Sequence, residues 1–443
     1  MSRLFISNQR TDEMVGDLGV LDPEYCRYVG NQGQRMAWCM RDGDLLVLPM
    51  APHAAFLGYV SETLGITPGS VDVLVPPEGG APEGILSSDR LLDPSFLAVL
   101  RDAVAAHGID EVVPFHFDST ISRLTEELGL ADVTPGFGLL DQGGGRLLNS
   151  KATFRALAAG AGVPVPDGFV CDSRKEVERY LWERFLSHGH PAILKQDYHV
   201  AGFGNEVISP FEGVDPVGAL RSVVTRSRDE LAKYLADRWH WLTDGGRNRI
   251  VAERYFENST PLCAEFRLTD DSVVFLGHGE MRMQPVLNGH IWPAPSADSP
   301  IFPDFISDGL GLCGSIHALG YRGIVSVDAV LTTTHGILVN EFNCRVSGST
   351  HAYEFGRGIV GEDWQDRRVI IEMRRCSFPP LDRAIQVLHD HGIAFDHGTR
   401  SGVVVAVEDA GPNGGYGEYL VVAESLAQAE ELERQVGTCL LLS

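Results

Sequence analysis

At 443 residues the chain is too long for one ordinary hydrophobic core, so two to four domains are expected. Lys+Arg 36 against Asp+Glu 60 gives a formal charge of −24, which disfavours nucleic acid or an anionic membrane as partner but leaves room for a small phosphate ligand in a local basic pocket. The eight cysteines are scattered without a CxxC pair, and neither a signal-peptide pattern nor a membrane-length apolar run is present, so a cytoplasmic enzyme with reduced thiols and no structural zinc is expected.

Residues 1–145 alternate short apolar strands, at 3–7, 45–49, 71–75 and 111–115, with helical patterns at 95–107 and 119–128. This rhythm predicts an open parallel sheet with ligands at the carboxyl ends of its strands. His116 and Asp118 fall just past one such end, before a helix that Asp118 or Ser119 is placed to cap, capping being the role read for Asp118. The glycines at 143–145 mark a domain boundary.

Ser150 then caps a helix running to about residue 159, with Lys151 in its first turn. A lysine there opposes the helix dipole but can share an anion with the free N–H groups. The only lysines are Lys151, Lys175, Lys195 and Lys233, every other basic side chain being arginine. Such a bias reserves lysine for places where a compact point charge fits. Lys175 and Lys233 lie in polar helical patterns, whereas Lys195 sits in the apolar strand 192–196, where a buried ammonium needs a partner. The loop 199–205 follows, and its Gly202 and Gly204 let backbone N–H groups approach phosphate oxygens before the strand 206–209. GxxxxGK[ST] is absent.

A polar helix is predicted over 229–241 and strands over 249–256, 263–268 and 273–278. Strands flanking the linker 257–261 can hold a flat base by its edge, with Glu265 reaching the ribose hydroxyls. Residues 281–297 read as an irregular, substrate-facing loop in which Arg282 is the one basic residue, and 305–318 reads as a helix.

Residues 323–345, GIVSVDAVLTTTHGILVNEFNCR, read as a hairpin turning at 332–336. A centre near Thr334 sets Asp328 opposite Glu341, within one residue of register, and period-2 alternation puts Glu341 and Asn343 on one face. Hard oxygen ligands converging from apolar strands are what Mg²⁺ with substrate phosphates requires. Gly348, just beyond, can present N–H groups to an oxyanion, while the adjacent Cys344 is read as a packing residue. The tail carries helix 380–391, strand 402–407, a glycine turn 411–417, strand 418–422 and helix 426–435, an αββα module with a structural or dimerisation role.

Lys151, Lys195 with its glycine loop, Glu253, Glu265, and the closing Asp328…Glu341-x-Asn343-x-Arg345 resemble the ATP-grasp superfamily over roughly residues 146–375. The closing pattern is the most specific part. The resemblance implies an α/β (α+β) chain with an N-terminal pre-ATP-grasp domain (1–145), a two-lobed ATP-grasp domain (146–375, lobes meeting near 250) and a C-terminal module (376–443). It implies that Lys151 and Lys195 contact ATP phosphates, that the Gly202/Gly204 loop covers them, and that Glu253, Arg254 and Phe256 belong to a stretch holding adenine through its backbone. Glu265 would hold ribose, and Asp328, Glu341 and Asn343 would bind Mg²⁺. Many relatives carry an arginine two residues before the first metal aspartate; here that residue is Ser326, which leaves Arg345 or Arg282 to face the γ-phosphate.

Within the superfamily the whole chain is similar to peptide ligases of peptide-antibiotic biosynthesis. That implies joining a nonproteinogenic, guanidino-bearing amino acid to a peptide amine through an acyl phosphate, with release of ADP and phosphate. Small-molecule amino acid and peptide partners, no nucleic acid, no membrane and a homodimer go with it. The alternatives are a ligase joining free amino acids, a phosphotransferase releasing the acyl phosphate, and a regulatory protein that holds ATP without turnover.

Overall fold

Leu4, Phe5 and Ile6 are all buried, so β1 (Ser2–Ile6) is covered on both faces, as a central parallel strand must be. It pairs in parallel with β2 (Leu45–Val47) and β4 (Ile109–Pro114), and β3 (Asp72–Leu74) lies beyond β2, giving the order β3-β2-β1-β4. Helices Pro94–His107 and Ser119–Glu127 stand where the sequence places them, the second capped by Asp118, which accepts the Ile121 N–H at 2.9 Å. The computed structural model describes residues 2–16, 18, 21–409 and 415–440; most of the glycine turn expected at 411–417 lies outside them.

A small lobe follows. Strands β5 (Gly168–Cys171), β6 (Ala192–Gln196), β7 (Asn205–Ser209), β8 (Ser222–Val224) and β9 (Ile250–Arg254) form a sheet of order β5-β9-β6-β7-β8. Helices Arg174–Arg184 and Arg228–Leu242 cover it through Val177, Leu181, Leu231 and Leu235, a core of the lobe's own.

The largest sheet has eight strands: β10 (Thr260–Leu268), β11 (Val273–Met283), β12 (Leu287–Trp292), β13 (Gly323–Leu331), β14 (Ile337–Asn343), β15 (Val369–Phe378), β16 (Gly402–Val407) and β17 (Gly415–Ala423). Their order is β14-β13-β10-β11-β12-β15-β17-β16, all antiparallel.

Two expectations change here. The stretch 281–297 is not an irregular loop: β11 runs on to Met283, and β12 joins β11 to β15. The tail is not a separate module either. The expected boundary at 376 falls inside β15, and β16 and β17 extend the same sheet. One hydrophobic core unites Phe5, Trp38 and Phe56 from the N-terminal region with Val403–Ala406 and Tyr419–Ala423, and the Trp38 Nε1–H donates to the Ala406 carbonyl at 2.8 Å. A second core packs the other face of β1, through Leu4 and Ile6, into the same cluster as helix Phe302–Ala318, β10 and β13. Among the described residues no helix is long and apolar enough to cross a membrane.

Candidate active site

A cleft runs between the small lobe, the β10–β13–β14 face of the large sheet and the N-terminal region. Its floor is the hairpin. Asp328 pairs with Glu341 and Ser326 with Asn343, the register expected from the turn. The turn closes through Thr332, whose hydroxyl donates to the Gly336 carbonyl at 2.8 Å, with Gly336 at φ 73° where a side chain would be strained. One irregularity follows Asp328: Ala329 pairs with Val339, so Asn340 is an extra residue, and its carbonyl accepts from Lys195 Nζ at 3.4 Å.

Around the floor the polar groups interlock. Ser326 Oγ donates to Asp328 Oδ1 at 3.0 Å, Asn343 Nδ2 donates to Asp328 Oδ2 at 3.2 Å, and Arg345 donates to Asn343 Oδ1 at 2.9 Å. Burial, then the facing charge of Glu341, pushes the Asp328 carboxyl up to about 7. Burial likewise brings the Arg345 guanidinium down to about 10.

The two singled-out lysines enter from opposite elements. Lys151 opens helix Lys151–Ala161, capped by Ser150 as expected, and its Nζ lies 3.3 Å from Glu341 and donates to the His199 carbonyl at 3.2 Å. Lys195, on β6, holds Glu253 of β9 at 2.6 Å, and Arg155 binds the other oxygen of that carboxylate at 2.6 Å. Glu253 is thus a fixed anchor for Lys195. The next residues turn past the cleft: Arg254 N–H is taken by the Asp167 carbonyl and Tyr255 N–H by that of Pro191, while Phe256 packs on His335 with the Arg254 guanidinium 5.0 Å above its ring. Gly202 lines the cleft at φ 83°, and a Cβ there would lie 2.8 Å from the Gly218 carbonyl oxygen. Gly204 instead packs inward, where a Cβ would meet the His199 side chain at 2.5 Å, so its small size serves the loop's own folding.

Two expected positions are corrected. Arg282 does not face the site. Its neighbours Met281 and Met283 line the cleft, and alternation along β11 turns Arg282 away, where it binds Glu433 of helix Leu426–Cys439. Glu265 does share the cleft face of the sheet, but β10 pairs Pro261 with Val330, Cys263 with Asp328 and Glu265 with Ser326. Glu265 therefore lies beyond Asp328, on the opposite side from Phe256 and Pro261, too far along the strand for a ribose whose base sits at Phe256. It accepts from the hydroxyls of Ser347 and Ser349, each at 2.8 Å, and burial pushes it up to about 7.

The sequence reading missed the arginines that line the far end: Arg10 and Arg35 from the N-terminal region and Arg374 and Arg375 from β15. Only Arg374-Arg375 leaves a trace in the sequence, two adjacent charges within a strand that opens on Val369-Ile370-Ile371. Cys344 is fully enclosed and its thiol is pushed well up by burial, which suits packing.

The donors fit a hydrated divalent cation shared with phosphate oxygens. Asp328, Glu341 and Asn343 are hard oxygen groups on one face, and no cluster of three or more His, Cys, Asp or Glu side chains able to hold a metal unaided occurs among the described residues.

The fold is that of an ATP-grasp protein. The model of the pre-ATP-grasp domain matches residues 33–130, and that of the PGM1 C-terminal domain matches residues 383–436. The L-propargylglycine–L-glutamate ligase of Streptantibioticus cattleyicolor is 26% identical over 385 residues, covering 79% of this chain and 74% of that one. The biotin carboxylase domain of the Hydrogenobacter thermophilus 2-oxoglutarate carboxylase, crystallised with MgADP, ADP and bicarbonate, superposes at TM-score 0.59 with 14% identity over 99% of this chain and 90% of that one. The N5-carboxyaminoimidazole synthetase of Staphylococcus aureus superposes at 0.55 with 13% identity, over 99% and 97%. The chain thus has the fold of ATP-grasp enzymes, with a pre-ATP-grasp region at its N-terminal side, and its similarities are to an ATP-grasp ligase.

Proposed function

We propose that the enzyme condenses a carboxylate with an amine at the expense of ATP, through an acyl phosphate, releasing ADP and phosphate. The observation that carries this reading is the facing pair Asp328 and Glu341, with Lys151, Lys195 and Arg345 around them and no protein nucleophile among them. Phosphate groups would lie between Lys151 and Lys195, with Gly202 in the covering loop. Adenine would sit against Phe256. Mg²⁺ bound by Asp328, Glu341 and Asn343 would offset charge on the phosphates.

The donor carboxylate attacks the γ-phosphorus, a new P–O bond forms, and ADP leaves. Arg345 neutralises the transferred phosphoryl group and then the oxyanion made when the amine attacks the acyl carbon. Collapse of that intermediate expels phosphate, which carries away the amine proton. Positioning and charge supply the catalysis.

The resemblance to peptide ligases of peptide-antibiotic biosynthesis favours a peptide-forming reaction in natural-product assembly, and the glutamate in the relative's name favours an amino-acid amine. A guanidino-bearing donor has less support, because the carboxylates lining the cleft (Glu253, Asp328 and Glu341) all lie on the nucleotide side. The test is nucleotide product analysis over a panel of carboxylates and amines, coupled to mass spectrometry. ADP and phosphate appearing only with both substrates, alongside a condensed product, is the expected result; AMP and pyrophosphate would replace the acyl phosphate with an adenylate.

A further inference from the structure

Past Arg345 the cleft continues away from the nucleotide side, and four guanidinium groups form its walls: Arg10, Arg35, Arg374 and Arg375. This concentration runs against the chain's formal charge of −24. Arg35 and Arg374 are backed by buried carboxylates outside the cleft. Glu418 takes Arg35 in a fork at 2.6 and 2.5 Å, and Glu372 lies 2.9 Å from Arg374. Both guanidiniums nevertheless reach one point, since a Cβ added to Gly348 would lie 3.0 Å from Arg374 Nη2 and 3.4 Å from Arg35 Nη1.

The other two lack such backing. Among the described residues Arg10 is held by the Tyr25 hydroxyl and the Gln9 carbonyl, and Arg375 by the faces of Tyr28 and Phe203, with no carboxylate at ion-pair distance of either. Arg10 is only 6% exposed, and burying a guanidinium without a counter-charge is costly. The backbone adds a second sign. Successive strand residues face opposite ways, yet Arg374 and Arg375 both line the cleft, because the β15–β17 register breaks between Met373 and Cys376 and Arg375 sits at φ 56°. Such a conformation strains a non-glycine residue and is kept where the surroundings use it.

We propose that this end of the cleft is a subsite for a carboxylate carried by the amine substrate. The assignment rests on the ligase reading above. The donor's own carboxylate is consumed in the acyl phosphate, so an anion that persists through the reaction belongs to the molecule that brings the amine. Two guanidiniums that reach one point, with two more on the same cleft walls that have no carboxylate of their own, suit a carboxylate. Two sources share that chemistry: the α-carboxylate of a free amino acid, and the side-chain carboxylate of an acidic residue at a peptide's N-terminus.

The test uses the full chain with Mg·ATP, a panel of amino-acid carboxylates as donors, and two readouts. Hydroxylamine traps the acyl phosphate as a hydroxamate without any amine substrate. Mass spectrometry quantifies condensation with L-glutamate, L-glutamine, L-isoglutamine and L-glutamine amide, the last having no carboxylate. L-Glutamine amide is expected to show a kcat/KM lower by roughly tenfold to a hundredfold than the best of the others, the scale of losing hydrogen bonds to a charged group. A matching loss with isoglutamine assigns the α-carboxylate, and one with glutamine assigns the side chain. Arg375→Gln, which strands no buried acid, is expected to raise the KM of the preferred acid and to lower condensation roughly tenfold more than hydroxamate formation. Gly348→Ala should act in the same direction by crowding Arg374. A parent enzyme that traps hydroxamate but uses all four amines alike overturns the subsite alone, as does an Arg375→Gln enzyme impaired equally in both readouts. A parent that traps no hydroxamate with any donor overturns the ligase reading, and the subsite with it.

Discussion

Glu341 is the carboxylate the site can least replace, because it faces Asp328 across the hairpin and also holds Lys151 at 3.3 Å. Glu341→Ala is expected to lower kcat/KM on the order of a hundredfold or more, the scale of removing one preorganised charge-stabilising group, with little change in Tm. A variant with near-parental kcat/KM would take Glu341 out of the site. Lys195 fits a narrow gap between Glu253 and the Asn340 carbonyl, 2.6 and 3.4 Å away. A guanidinium is wider and directional, so Lys195→Arg should weaken nucleotide binding in titration calorimetry; equal affinity would mean that the compact ammonium is not what the position needs. Glu265 offers a pH test. Its carboxyl rises to about 7 from the ordinary 4.5, so the folded state holds its proton where the unfolded chain has lost it. The contribution is full below about pH 4.5 and is lost as pH climbs through 7. Glu265→Gln should therefore flatten the fall in Tm between pH 5 and pH 8, by a free energy of about 3 kcal/mol at most; parallel Tm profiles for parent and variant would refute the assignment. Residue identities were legible where a single segment carries the pattern, as in Asp328, Glu341 and Asn343. Arg10 and Arg375 were not, since only folding brings positions so far apart in the chain to one wall.

At the scale of elements, the hairpin was readable because its turn and its alternation agree on one register, whereas β12 was not. Its segment Asn288-Gly289-His290 lacks the β-branched alternation that marks a strand, and Gly289 is required by close passage: a Cβ there would lie 2.1 Å from the Glu372 carbonyl oxygen. Arg282 is misplaced for a related reason: it lies on the part of β11 beyond residue 278, where the sequence reads as a loop, and a loop has no fixed facing whereas a strand does. The glycine loop was readable as a loop, but the separate duties of its glycines were not. Gly202 has both a positive φ and a carbonyl close by, so Gly202→Ala must shift the loop against Gly218. The expected result is a roughly tenfold rise in the KM for ATP with Tm lowered by no more than a few degrees, the change being confined to one loop. An unchanged KM would show that the loop's conformation does not bear on the nucleotide.

At the scale of the whole molecule, the sequence reads as three successive domains, and the fold ties the first and last together. Local pattern gave the tail's helices and strands in the right order, with the strand 402–407 exact, although β17 starts at Gly415 inside the expected glycine turn and the last helix runs on to Cys439, but it cannot say which sheet an antiparallel strand joins. Here β16 and β17 continue the large sheet through β15, and their apolar faces share a core with Phe5, Trp38 and Phe56. The small lobe, by contrast, keeps a core of its own. Unfolding should follow that division. Trp38→Phe removes the Nε1–H that satisfies the Ala406 carbonyl and leaves that buried oxygen short of a partner, at a cost of roughly 1–3 kcal/mol. Because the core is common, the loss should appear equally in hydrogen exchange of β1 and of β16, with slower-exchanging amides in both strands losing protection by the same factor, while β6 and β9 of the small lobe change less. If β16 were destabilised and β1 left untouched, the two ends of the chain would be separate folding units, and the tail would after all be a module docked on an independent N-terminal domain.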